Sequence, residues 1–217
     1  SYERKYSGRT DSTSQVLYRK PGEQRKLAVQ IGRMEQIVPA VQAPNVDTIY
    51  VEIGDFESLG GQERRQLVQE LHRQRKQFYI ALPHIFRHDI EKKCSDSFEQ
   101  ALLYGADGVL VRNMESLLFA RKYAPTLSVV TDYSIYTMNS EAKAFLKAAG
   151  ASRVTVPLEL NERELRQRGC AADEAVIYGY IPLMISAQCP LETVGMCRKN
   201  VHKVSNERLY LKDRKGA

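Results

Sequence analysis

Residues 78–113 read FYIALPHIFRHDIEKKCSDSFEQALLYGADGVLVRN. The stretch opens on the apolar run Phe78-Tyr-Ile-Ala-Leu82 and closes on Gly108-Val-Leu-Val-Arg112. Each run has the length of a strand and is too short for a typical helix. Between them, Asp96 or Ser97 can cap a helix through Ala101, Leu102 and Leu103, which Gly105 then stops. Two strands joined by a helix must lie parallel, because a connection of this length crosses over the sheet and does not turn back in a hairpin.

The same alternation extends in both directions. Upstream lie Leu27-Ala-Val-Gln-Ile31 and Thr48-Ile-Tyr-Val-Glu-Ile53. Downstream lie Leu127-Ser-Val-Val-Thr131, Arg153-Val-Thr-Val156 and Ala175-Val-Ile-Tyr178, which makes seven candidate strands. Helices are expected between them. Residues 62–75 place Leu67, Val68 and Leu71 on one face, Asn139 precedes a helix that Gly150 terminates, and Asn161 with Glu164 has capping-box spacing. This pattern predicts an α/β chain of the (β/α)₈, TIM-barrel-like class, incomplete or truncated because no eighth strand is evident. An open doubly wound sheet is the rival. Ile31-Gly32-Arg33-Met34 offers one glycine where a dinucleotide fold needs G-x-G-x-x-G.

Bulk properties set the frame. A chain of 217 residues with 43% hydrophobic and 27% charged residues suits one main globular domain. Residues 1–25 are polar and aperiodic and read as a linker or lead-in, leaving 26–217 as the domain. The first residues lack both an initiator Met and the apolar core of a signal peptide, so the expectation is a piece of a longer protein, with other domains of the parent chain as partners. No apolar run approaches the ~18–20 residues of a membrane span, so no membrane partner is expected. The net charge is +6, but the basic residues are dispersed (Arg64, Arg65, Arg73, Arg75, Lys76, Arg163, Arg166, Arg168) and interleaved with acids. That describes solvated helix faces, with an RNA-binding face as the alternative. Four cysteines without disulfide-scaffold spacing suggest a reducing, cytoplasmic location.

Barrels of this class carry their sites at the carboxyl ends of the strands. There the sequence places Glu52, His84 with Arg87, Arg112 with Asn113, Asp132 with Tyr133, Glu159, and Tyr178 with Tyr180. Glu52, Asp132 and Glu159 are the candidate catalytic carboxylates, suited to acid–base work or to a cationic substrate. His84, Arg112, Asn113 and Tyr178 are candidate substrate-binding residues. The alternative is that each polar group caps a helix or pairs with Arg112 or Arg87. No H-E-x-x-H, no G-x-S-x-G and no family setting for a cysteine nucleophile occurs. Cys189 and Cys197, eight residues apart with Pro190 and Gly195 beside them, are candidate ligands of an iron–sulfur cluster or divalent metal. Two are too few, so further ligands would come from outside these residues.

From Glu174 onward the chain resembles peptidase family U32, the collagenase-like peptidases. That signature runs Glu-x-Phe-x-x-Gly, a small residue, an aliphatic, Cys, four residues, Gly-x-Cys, then x-aliphatic-Ser. Glu174, Gly179, Ile181, Cys189 and Leu191 match it, while Val176, Tyr180, Pro182, Ala187 and Glu192 depart from it. Asp107-Gly-Val-Leu-Val-Arg112-Asn113 resembles the family's fourth strand. Asp132-Tyr-Ser-Ile-Tyr-Thr-Met-Asn139 is similar to its segment D-Y-S-L-N-x-x-N, and Pro157-Leu-Glu159-Leu-Asn161 to its turn P-E-L-N. Tyr178 to Met184 and Leu211 to Gly216 look like a branch with long, multidomain members. The resemblance covers residues 26–217 and implies a peptidase acting on a peptide. It also implies, as alternatives, an iron–sulfur hydroxylation factor acting on RNA or an aromatic small molecule, or a non-catalytic barrel that docks a partner. Pro182 in place of the first signature Cys departs from both a complete cluster and a cysteine-based peptidase.

Overall fold

Six strands pair in strict sequence order and all in parallel. In the computed structural model of the chain the described residues are 26–187. The strands are β1 (Ala28–Gln30), β2 (Thr48–Glu52), β3 (Gln77–Ala81), β4 (Gly108–Val111), β5 (Ser128–Thr131) and β6 (Arg153–Val154). The connecting helices are α1 (Ile37–Gln42), α2 (Ile53–Ser58), α3 (Gly61–Arg73), α4 (His88–Leu103), α5 (Met114–Tyr123) and α6 (Ser140–Ala148), with α7 (Glu162–Arg168) after β6. A doubly wound sheet reverses its strand order at a switch point, and this sheet does not.

The sheet is curled into a half-barrel. From β2 across to the segment beyond β6 is five strand spacings, about 24 Å if the sheet were flat. Yet the Tyr50 hydroxyl on β2 donates to Glu174 at 2.8 Å, a span that two side chains can close only across a strongly curved surface. Glu174 stands one residue before the expected seventh strand, Ala175–Tyr178. Its backbone pairs parallel to Thr155 in a single bridge, donating to Val154 and accepting from Val156. The run Ala175–Tyr178 expected to follow does not pair, and Ile177 and Tyr178 are exposed.

Alternation along each strand sorts the side chains onto two faces. Ile49, Val51, Phe78, Ile80, Val109, Val111, Val129 and Val154 face the helices and form the main core with Phe56, Leu71, Phe98, Leu117 and Phe119. Phe56 meets Phe78 with ring centroids 5.6 Å apart, and Phe119 meets Phe98 at 5.1 Å. The inner face carries a smaller apolar cluster of Tyr50, Tyr79, Ala81, Leu110 and Val130.

Helix ends follow local chemistry where the chain has it. The side chains of Asn113, Asn139 and Asn161 each accept from the backbone N–H three residues on and start α5, α6 and α7. Gly150 follows α6 with φ of +103°. One expected start is corrected. Helix α4 begins at His88, so Asp96 and Ser97 lie within it and cap nothing. The loop after β3 is short, and the amphipathic pattern simply continues upstream of those two residues.

The two compact units of the chain are residues 1–180 and 181–217. Of the second, the described residues are 181–187, of which Leu183 and Met184 are exposed. The lead-in expected over residues 1–25 lies outside the described residues. No helix among the described residues is long and apolar enough to cross a membrane.

One glycine is dictated by the inner face. A Cβ at Gly108 would lie 2.0 Å from the ring of Tyr79, its cross-strand neighbour. Gly108→Ala should therefore cost about 2–3 kcal/mol by overpacking. In the Tyr79→Ala background the same change should cost much less, read as coupling in urea unfolding midpoints.

Candidate active-site rim

Arg112 follows β4 and turns its guanidinium along the carboxyl ends of the strands. The side chain is 2% exposed. Nη1 donates to Glu52 at 2.8 Å and to the Leu82 carbonyl at 2.7 Å, and Nη2 donates to the other Glu52 oxygen at 2.5 Å. Gln30 on β1 donates to the same carboxylate at 2.8 Å. Asp132, at the end of β5, has a carboxylate oxygen 3.8 Å from Arg112 Nε and accepts from Ser134 Oγ at 3.0 Å. Ser134 sits 3.2 Å from the Arg112 carbonyl as well. One guanidinium thus joins the ends of β2, β3 and β5 to β4. Burial alone would lower its pKa, but the hydrogen bonds and charge of Glu52 raise it above the usual arginine value.

His84 lies just beyond β3. Its pKa is lowered, first by burial and then by the positive charge of Arg112, with Asp132 and Glu52 pulling the other way. That shift favours the neutral imidazole, which is half-buried at the rim. Asn113 donates through Nδ2 to the His84 carbonyl at 2.9 Å while its Oδ1 caps α5. Asn113 therefore fixes the backbone of His84. Glu159 is exposed beyond β6, close enough for its charge to act on Tyr133, whose pKa is raised by burial and then by Asp132.

The structure thus brings Glu52, Arg112, Asp132, Asn113 and His84 together, with Glu159 at the margin. Tyr178 is exposed, past the bridge at Glu174. Cys189 and Cys197 lie outside the described residues. Cys94 is a core side chain whose thiol burial pushes up to about 11. Among the described residues no three His, Cys, Asp or Glu side chains converge as a metal site.

A second polar group was not foreseen as a site. Below the rim, Tyr50 donates to both oxygens of Glu174, at 2.8 and 2.9 Å. Arg153 on β6 reaches Glu174 at 3.3 Å and the Tyr79 hydroxyl at 3.3 Å, with its guanidinium over the Tyr79 ring. Tyr79 and Ser128 hydroxyls are 3.1 Å apart. Burial and then the Glu174 carboxylate raise the Tyr50 pKa, so the phenol stays protonated. The signal was present in the two-residue spacing of Tyr50 and Glu52, which puts both on one face. What could not be read was that Glu174 would arrive opposite.

The U32 family model matches residues 33–201, well over half of the chain. The chain belongs to peptidase family U32. Among solved structures, the U32 peptidase Mk0906 superposes on this U32 domain with a TM-score of 0.50 and 17% identity. That match covers 69% of this chain and 66% of that one, so the domain spans just under two thirds of Mk0906. An aldolase-like structure from Coccidioides immitis, a putative fructose-1,6-biphosphate aldolase by its own description, matches at 0.48 and 15% identity, over 68% of this chain and 62% of that one. At 17% identity the likeness to Mk0906 speaks for the fold alone. No curated protein matches the chain.

Three measurements check the rim of the U32 domain. Arg112→Met strands Glu52 and the Leu82 carbonyl and should cost about 3 kcal/mol or more, with Glu52→Leu added in the same chain restoring much of it. Both are read by denaturant unfolding. His84 should titrate below the ordinary 6.5 when its ring protons are followed by NMR. A folded-state pKa below the unfolded one means the unfolded chain binds the extra proton first. His84 therefore withdraws stability as pH falls below about 6.5, and His84→Gln should flatten that part of the stability–pH curve.

Proposed function

We propose that this U32 domain binds a peptide across the rim and that His84 acts as the general base in hydrolysing it. The observation that carries the reading is the half-buried His84 beside two carboxylates, Glu52 and Asp132, that are themselves engaged. Glu52 is held at both oxygens by Arg112, and Asp132 is buried against Arg112 and Ser134. Among the described residues, His84 makes no side-chain hydrogen bond. A half-buried imidazole held neutral can take a proton from water as the water adds to a carbonyl.

The roles of the carboxylates divide accordingly. Glu52 positions Arg112, Asp132 sets the field around His84, and Glu159, exposed, meets the substrate. Sequence reading gave all three a catalytic part, and the ion-pair geometry supports that part for none of them as directly as for His84. Family membership supports the substrate class, since U32 is a peptidase family.

The test uses the full-length protein with a library of short peptides and denatured collagen. Hydrolysis is expected, and His84→Ala should reduce kcat by 10²–10⁴-fold, the usual share of a general base. A full-length protein that cleaves none of these substrates, or an H84A variant as fast as the parent, would sink the reading.

A further inference from the structure

The chain leaving β3 is gripped at every second residue, and each grip comes from the exit of β4 or from α5. Arg112 Nη1 donates to the Leu82 carbonyl at 2.7 Å, and Asn113 Nδ2 donates to the His84 carbonyl at 2.9 Å. The Phe86 ring packs on that of Phe119 with centroids 5.0 Å apart. Leu82 and Phe86 are buried, so His84 hangs between two fixed points with its own carbonyl tied. Pro83 stiffens the same stretch, because its ring locks φ.

The grip is only as firm as the turn that carries Arg112 and Asn113, and one side chain fixes that turn. Ser116 is 0% exposed. Its Oγ accepts from the successive backbone N–H groups of Arg112 and Asn113, at 3.2 Å each, and donates to the Asn113 carbonyl at 2.9 Å. Its own N–H donates to Asn113 Oδ1 at 2.8 Å. Two adjacent N–H groups converging on one oxygen set the direction in which the chain leaves β4. The Oδ1 bond then turns the Asn113 amide so that Nδ2 faces His84. Exchanging the two ends of the amide would set donor against donor and acceptor against acceptor, so its orientation is fixed.

We propose that Ser116 and Asn113 are positioning residues for His84, holding it at the rim through its backbone without touching the peptide. A base works only when its nitrogen stands at the right distance from the water it deprotonates, and a displacement of about 1 Å can cost about 100-fold in rate. Such a site needs supporting hydrogen bonds that hold the working side chain to within about 0.5 Å. Asn113, a candidate substrate ligand by sequence, turns its two amide ends to the helix start and the loop instead. The fully buried Ser116 acts through Arg112 and Asn113. The inference rests on the reading of His84 as the base and names the residues that hold it.

The test follows the His84 ring protons by NMR in the full-length protein and measures cleavage of the short peptides alongside. Asn113→Ser keeps a side-chain oxygen to start α5 and loses the reach to the His84 carbonyl. Ser116→Ala removes the acceptor of both N–H groups; should that variant not fold, Asn113→Ser decides alone. In each, the His84 titration should move up toward the ordinary 6.5 as the imidazole gains water, and kcat should fall about 10–100-fold with KM unchanged. Asn139→Ser makes the same exchange at the cap of α6 and should move neither quantity. A His84 titration and a kcat that stay at the parent's values in Asn113→Ser overturn the positioning role, as does an equal response in Asn139→Ser. A parent that cleaves, with His84→Ala inactive and Asn113→Ser as fast as the parent, overturns positioning and leaves hydrolysis standing. A parent that cleaves nothing, with the His84 titration moved by Asn113→Ser and not by Asn139→Ser, supports positioning and overturns hydrolysis.

Discussion

Arg112 is the constraint on which the rim depends. A parallel sheet delivers its strand ends to one side, and nothing in the backbone pairing fixes where the side chains beyond those ends will point. One buried guanidinium does so by holding Glu52, the Leu82 carbonyl and the neighbourhood of Asp132 together. Its low exposure makes the arrangement stiff, since neither partner can be lost without stranding a charge or a carbonyl away from water. Burial lowers the His84 pKa, and the same positive charge adds to that shift.

The Tyr50–Glu174 contact does the corresponding work inside the half-barrel. The segment after α7 joins the sheet by a single bridge, which is weak pairing. It is held by its two consecutive carboxylates. Asp173 is drawn into Arg168 and Lys143 on the helical side, at 2.6 and 2.8 Å, and Glu174 into Tyr50 and Arg153 on the inner side. Adjacent residues pointing to opposite faces is the geometry of a strand, achieved here with charge where backbone hydrogen bonds are few. The Arg168 that grips Asp173 also grips Thr137, so the closing edge of the sheet and the loop bearing Tyr136 share one anchor.

Much of the fold was legible because its determinants are local. The apolar runs at β1 to β6 are short and β-branched, and Asn113, Asn139 and Asn161 cap helices through backbone groups only three residues away. The α4 start was misplaced because Asp96 and Ser97 are good capping residues in a stretch that tertiary packing keeps helical from His88. The seventh strand was overread because Ala175–Tyr178 has strand composition but no second neighbour to pair with among the described residues.

By itself the sequence determined the alternation of strands and helices, the rim position of Glu52, His84, Arg112, Asn113 and Asp132, and the family likeness carried by Glu174 and the segments at 107–113, 132–139 and 157–161. Propensity, period and capping act over a few residues, so they survive in a linear reading. Only the tertiary structure decided which carboxylate is consumed by Arg112, that Asn113 serves a helix start and a loop carbonyl, and that Glu174 meets a tyrosine 124 residues earlier in the chain. Those outcomes depend on how far the sheet curls and how far each side chain reaches across it, which no local pattern encodes.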